Sequence, residues 1–119
     1  MLTVPAQVGR FPVRLLVDTG AAITALTPDA IRRLRLDPNR FTGRRVVFTA
    51  AGTYATVNTG RIDRLRLGAA DLHNVEIAIL DMPGGVSIDG LLGVNVLDRF
   101  RVTFEFRSAT LVLRPDHNR

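Results

Sequence analysis

The tripeptide Asp18-Thr19-Gly20 closes the apolar run Leu15-Leu16-Val17, and it occurs once in 119 residues. Val13, Leu15 and Val17 alternate with Arg14 and Leu16, the period-2 pattern of a strand. A carboxylate is therefore delivered at the end of an element that has a buried side. Gly20 can take backbone conformations that other residues disfavour, and it lets neighbouring N–H groups approach the carboxylate. Taken alone, the tripeptide has an ordinary explanation, an Asx-type turn in which Asp18 caps its own loop. The rest of the chain decides between a local turn and a reactive carboxylate.

A chain of this length is expected to form a single domain, residues 1–119. Its 46% hydrophobic content can fill a core. There is no Cys, which excludes disulfides, zinc–thiolate sites and thiol nucleophiles. With only His73 and His117, a multi-His metal site is not expected. No apolar run approaches the roughly 20 residues that span a bilayer. The start, Met1-Leu2-Thr3-Val4-Pro5, lacks the basic and long apolar regions of a leader. The chain as given reads as soluble, and a fragment of a longer, anchored parent would read the same. The net charge is +5, and all 16 basic residues are Arg. Six of them (Arg32, Arg33, Arg35, Arg40, Arg44, Arg45) fall within 14 residues. They read as a solvated helix face and hairpin rim, with a phosphate- or membrane-facing patch as the weaker alternative. Without interleaved aromatics or a recognisable binding motif, nucleic acid is not an expected partner.

Along the chain, residues 2–17 predict two strands around a turn at Gly9-Arg10-Phe11-Pro12. Thr27-Pro28-Asp29 opens a helix, with Thr27 as cap, Pro28 at the first position and Asp29 complementing the dipole. That helix is expected to run to about Arg35 and to stop before Asp37-Pro38. Strands follow over Arg45 to Ala50 and Tyr54 to Asn58, forming a hairpin with Gly52 at its tip. Further strands are predicted over Arg61 to Leu67 and Leu72 to Leu80, separated by a turn at Gly68–Asp71 and ended by Pro83-Gly84-Gly85. His73 falls in the turn before the second of these. A short helical stretch, Val94 to Arg99, precedes a last hairpin in which Val102, Phe104 and Phe106 alternate and Leu111-Val112-Leu113 returns across Ser108-Ala109-Thr110. Many short strands with turns every 8–12 residues point to an all-β, barrel-like domain with one or two short helices.

About 70 residues after Asp18 lies Ile88-Asp89-Gly90-Leu91-Leu92-Gly93, and the hairpin tipped by Gly52 lies between the two motifs. The order of strand, Asp-Thr-Gly-Ala, hairpin, paired hydrophobics with Gly, short helix and terminal strands resembles the retropepsin-like aspartic proteases. The resemblance runs from about Val4 to Leu113. It is nearest to bacterial single-domain members with a Thr-Pro helix after the catalytic loop.

That resemblance implies an all-β acid-protease barrel that works as a homodimer. It makes Asp18 the catalytic carboxylate, one from each subunit, because acid proteolysis uses two carboxylates that share a proton. Thr19 would bond across the dimer beneath the pair, Gly20 would offer its carbonyl to the substrate backbone, and Ala21 would complete the loop. Leu91, Leu92 and Gly93 would pack under that loop. Ala50, Ala51, Gly52, Thr53 and Tyr54 would belong to a flap over the bound peptide, with Tyr54 either reaching the substrate or simply packing. No cofactor and no metal is implied. The partners would be a second copy and an extended polypeptide, and a membrane only through an anchor outside this chain. The subunit interface would combine the catalytic loops with residues 2–8 and 102–113.

Three departures from the family pattern stand out. Retroviral members carry an acidic residue second after the motif Gly, paired with an Arg after the later Gly; here those positions are Ala22 and Val94. Both partners are missing together, so no charge is left buried alone, and the dimer needs another support. Ala21 replaces the Ser of pepsin-type motifs and removes one hydrogen bond to the carboxylate, which implies an optimum less acidic than pepsin's. The flap has one Gly where viral flaps have several. Asp89 lacks a following Thr and a preceding apolar strand, and reads as a turn or surface residue. Asp98, Arg99 and Arg101 read as local ion pairs of little energetic weight. The alternative from another class is a catalytically weak or inactive dimerisation or peptide-binding module on the same fold.

Overall fold

Strand β1 (Thr3–Val8) buries Val4, Ala6 and Val8 and exposes Pro5 and Gln7. It pairs antiparallel with β2 (Phe11–Val17) through a two-residue turn, Gly9-Arg10, in which Gly9 has φ +59°. The predicted four-residue turn is shorter because Phe11 and Pro12 pair with Val8 and Gln7. The computed structural model describes residues 2–49, 51–82 and 87–115. Pro83-Gly84-Gly85, expected to end a strand, and Ala50 lie outside the described residues.

Beyond the Asp18 loop the chain makes a two-residue strand, β3 (Ala25–Leu26), and enters α1 (Pro28–Arg33). Thr27 Oγ1 accepts from the Ala30 N–H at 3.1 Å, as a cap should. The helix ends two residues before the expected Arg35, which lies beyond its Leu34 cap with φ +57°. Asp37 then caps a single 3₁₀ turn, Pro38–Arg40, in a place the sequence suggested only as a stop.

Strand β4 (Gly43–Phe48) pairs antiparallel with the first half of β5 (Tyr54–Leu67). The sequence suggested two strands here, broken between Asn58 and Arg61. They are one strand of 14 residues. Gly60 stays in the ladder opposite Ile77, and its missing side chain makes room for Phe41. A Cβ at Gly60 would lie 2.8 Å from the Phe41 ring and 2.9 Å from the Arg40 carbonyl oxygen. Strand β6 (Ala70–Ile79) returns along β5 after the two-residue turn Gly68-Ala69. His73 is therefore inside a strand rather than in the turn before it; it is exposed, with Nε2 3.8 Å from Asp71.

Strand β7 (Gly90–Leu92) determines the architecture. It runs parallel to β2, with Leu16 opposite Leu91, and antiparallel to β3, with Ala25 opposite Leu91. It thus wedges between the two strands that flank the Asp18 loop. The sheet order is β1-β2-β7-β3-β6-β5-β4, and β5 also pairs back onto β1 through Gln7–Arg66 and Val8–Leu65. Six strands close a barrel, and β4 extends it as an outer strand. Residues 2–8 are accordingly no free edge throughout, because Gln7 and Val8 are paired on both sides. The short helix α2 (Val94–Leu97) follows β7, two residues shorter than expected. Strands β8 (Phe100–Glu105) and β9 (Thr110–Pro115) form a separate hairpin. Phe106 falls just past β8 instead of within it and is 82% exposed.

The main core gathers Val13, Leu15, Leu26, Ile62, Leu65, Val75, Ile77, Leu92 and Val96, with Val102 and Leu113 of the last hairpin packed on its margin. Leu15, Leu92 and Val96 have no exposure at all. A second, smaller apolar cluster joins Ile23, Ala25, Val57, Ala78 and Leu91, flanked by Leu16, Ala21 and Val47. Strand alternation divides β2 between the two: Leu15 faces the main core and Leu16 the smaller cluster.

Candidate active site

The Asp18 loop hangs from β2 and is tied to the end of β7 and to the start of α2. The Asp18 N–H donates to the Leu92 carbonyl at 3.1 Å, and the Val94 N–H donates to the Ala21 carbonyl at 2.8 Å. Within the loop the Gly20 N–H donates to Asp18 Oδ1 at 2.9 Å, and the Ala21 N–H donates to the Asp18 carbonyl at 3.2 Å. The Asx-type turn is thus present, with the Asp18 carboxylate as its acceptor. Oδ1 is held by a backbone donor, while Asp18 itself remains half-buried and accessible. Thr19 and Gly20 are exposed, and the Thr19 hydroxyl makes no hydrogen bond among the described residues.

Ala21 and Leu91 meet in the smaller apolar cluster beside the loop. Leu92 lies in the main core behind it. Gly93 is where the two segments approach most closely: a Cβ there would lie 2.6 Å from the Ile23 carbonyl carbon and 2.8 Å from the Thr24 nitrogen. Backbone atoms cannot yield to a side chain at those distances, so the position requires glycine.

The β4–β5 hairpin is tipped by Ala51-Gly52-Thr53, with φ +81° at Gly52. The Thr49 N–H donates to the Thr53 carbonyl at 2.8 Å, and the Gly52 N–H donates to the Thr49 carbonyl at 3.0 Å. The residues from Ala51 to Tyr54 are all exposed, and the bonds and ring contact of this tip stay inside the hairpin. Val47 packs on the cluster that holds Ala21 and Leu91, so one hairpin face turns toward the Asp18 side of the barrel. Tyr54 is on the other face: it pairs with Phe48 and meets its ring edge-on, centroids 5.1 Å apart.

One set of residues around the site went unnoticed in the sequence, and the contacts of another were not foreseen. Thr24 is fully buried, and its N–H and hydroxyl both donate to Asn95 Oδ1, at 2.7 and 2.8 Å. Thr24 Oγ1 in turn accepts from the Gly93 N–H at 3.0 Å, and Asn95 Nδ2 donates to the Glu76 carbonyl at 2.9 Å. The signal that could have found them is a lone polar residue inside Ile23-Thr24-Ala25-Leu26 and an Asn two places after a motif glycine. The second set centres on Asp89. Its carboxylate accepts from the Arg14 N–H at 2.8 Å and pairs with Arg33 at 2.9 Å, while its carbonyl accepts from the Thr27 N–H at 2.8 Å. It lies in a bend before β7, within the expected reading of a turn or surface residue, and there it ties together β2, α1 and the approach to β7 with a side chain 20% exposed.

The Arg-rich stretch is spread over exposed faces and partly neutralised: Arg32 pairs with Asp29, Arg33 with Asp89 and Arg45 with Glu76. On the β5–β6 hairpin, two hydrogen bonds from Arg64 hold the Asp71 carboxyl below the usual carboxylate range. Among the described residues no three His, Asp or Glu side chains gather where a metal ion could sit, and no helix is long and apolar enough to cross a membrane.

A partly accessible carboxylate in an Asp-Thr-Gly loop, backed by a Leu-Leu-Gly strand wedged beneath it in an all-β barrel, defines a class of protein. A model of the aspartyl protease family matches residues 4–96, well over half of the chain. The chain belongs to that family, and its fold is retropepsin-like. Among solved structures it is similar to a retropepsin-like aspartic protease from Rickettsia conorii, with 22% identity, 87% of this chain and 76% of that one covered, and a TM-score of 0.66. It is also similar to the retroviral protease-like domain of Ddi1 from Leishmania major, with 21% identity, 95% and 87% covered, and a TM-score of 0.61. At these identities the shared property is the fold.

Proposed function

We propose that this chain is an aspartic endopeptidase whose site forms when two copies bring their Asp18 loops together. The observation that carries the reading is the single Asp18 loop, half-exposed at the end of β2 and fixed from behind by β7. Proton-sharing acid proteolysis needs two carboxylates close enough that only one ionises, which is the general logic of aspartic proteases. A chain with one such loop supplies the pair by symmetry. The exposed Thr19 hydroxyl is available to the other copy, and the β8–β9 hairpin offers an open edge for the same association.

In the reaction, the ionised carboxylate takes a proton from a water held between the two. The water oxygen attacks the scissile carbonyl while the protonated carboxyl donates to its oxygen. The tetrahedral species then collapses as a proton reaches the departing amine. The peptide would lie extended between the β4–β5 hairpin, acting as a flap, and the loop, bound through backbone hydrogen bonds.

The test is cleavage of an unfolded protein from about pH 3 to 7, comparing the chain with Asp18→Asn, under conditions where it is dimeric. Cleavage by the unsubstituted chain alone supports the proposal. Cleavage by neither, with dimerisation intact, supports a peptide-binding module on the same fold.

A further inference from the structure

We propose that the outer face of the β4–β5 hairpin is a docking surface for an anionic lipid bilayer. The inference does not depend on the peptidase reading. The inner face of the hairpin carries Val47 and Val57 into the smaller apolar cluster on the Asp18 side. Side chains alternate along a strand. Arg44, Val46 and Phe48 of β4 and Tyr54, Thr56 and Asn58 of β5 therefore turn the opposite way, and all six are exposed. Val46 is 67% exposed, Phe48 63% and Tyr54 76%. Among the described residues six large apolar side chains are exposed, and three of them share this face. They form one ridge: Phe48 and Tyr54 are cross-strand partners with ring centroids 5.1 Å apart, and Val46 is the next outward residue along β4. Single exposed apolar side chains are ordinary, whereas a contiguous group marks a contact surface.

Charge selects the occupant. Residues 46–60 hold no charged side chain, the longest such run in a sequence that is 23% charged. The run is bounded by Arg45 and Arg61, and no Asp or Glu occurs between Asp37 and Asp63. Arg45 is neutralised by Glu76, but Arg40 and Arg44 form no ion pair among the described residues. Arg40 stands at the base of the hairpin, with its carbonyl against Gly60. Arg44 is on the outer face itself, four residues from Phe48, about 13 Å along the strand. A protein partner is commonly met by a compact apolar core inside a mixed polar rim. Here the uncharged run takes in the whole tip, and the free charge behind it has one sign. That distribution suits a bilayer surface: apolar side chains enter the boundary between headgroups and acyl chains, the Tyr hydroxyl stays on the wet side, and Arg reaches the phosphates. β4 is the last strand of its sheet, so its outer edge keeps unpaired backbone groups. Such groups do not enter hydrocarbon, which limits docking to the depth of the headgroups.

The chain contains one Tyr and no Trp, so its intrinsic emission reports Tyr54 almost alone. The experiment adds the full chain to vesicles of phosphatidylcholine, with and without about 30% phosphatidylglycerol. Binding is read by co-sedimentation and the exposure of Tyr54 by acrylamide quenching. The expected result is binding roughly 10-fold tighter to the anionic vesicles, weakened by added salt, with Tyr54 shielded from acrylamide in the bound state. Arg44→Glu should weaken binding roughly 10- to 30-fold, and Phe48→Ser roughly 5- to 10-fold. Both positions are exposed, and the urea midpoint of each variant checks that it folds. Adhesion through arginines elsewhere on the surface predicts binding that leaves Tyr54 open to acrylamide, and that result overturns the proposal. So does an absence of binding to the anionic vesicles, and so does binding that neither substitution weakens. Shielding of Tyr54 that follows chain concentration without vesicles assigns the face to a second copy, and likewise overturns it. Should Phe48→Ser fail to fold, Arg44→Glu and the quenching of the unsubstituted chain decide. None of these readouts uses cleavage, so the peptidase reading and the docking surface fail separately.

Discussion

Asp18 Oδ1 is engaged by the Gly20 amide, so a replacement that keeps an acceptor there should keep the turn. Asp18→Asn is expected to leave the urea midpoint within the range of surface substitutions and to lower cleavage by roughly 10²- to 10⁴-fold. A folded variant that still cleaves would move the chemistry elsewhere. Asp71 gives a different kind of prediction. The hydrogen bonds from Arg64 depress its carboxyl in the folded state, so its contribution is present at neutral pH and disappears as the pH falls through the depressed value. The pair is half-exposed, so the effect should be small. The difference in urea midpoint between the chain and Asp71→Asn should be constant above about pH 4 and shrink below it. At this scale the sequence made Asp18 visible because its motif is contiguous. Thr24 and Asn95, and the contacts of Asp89, were hidden because the partners lie 71 and 75 residues apart in the chain.

Periodicity carried most of the elements. The alternation in Val13-Arg14-Leu15 and in Val75-Glu76-Ile77 records one buried and one open side, and both segments are strands. It failed where the determinant was not local. Gly60 looked like a break between Asn58 and Arg61, but it is a cavity for Phe41 inside a continuous strand. Strand β3 has two residues, too few for any period to show, and exists because β6 and β7 flank it. Replacing Gly60 tests this account of β5. Gly60→Val should cost about 1–3 kcal/mol by forcing Phe41 out of place, measured as a lower urea midpoint with unchanged slope. A neutral outcome would mean that the ring is free to move.

For the molecule as a whole, the consequential surface is the β8–β9 hairpin. Phe100, Val102, Leu111 and Leu113 turn inward to the core, while Phe104 and Phe106 stack with centroids 6.2 Å apart and Phe106 stands exposed. If this hairpin joins two copies, deleting residues 100–119 should abolish dimer and cleavage together, as read by sedimentation and by a peptide assay. An active monomer would refute the two-copy site. Specific activity of the intact chain should likewise fall on dilution as the dimer dissociates.

The wedging of β7 between β2 and β3 has a temporal meaning. A polypeptide emerging from the ribosome presents Asp18 long before Leu91 and Leu92 have been made, and until they arrive nothing fills the gap beneath the loop. Contacts so distant along the chain form late in folding. The Asp18 loop therefore gains its backing only once the distant segment that forms β7 has been made.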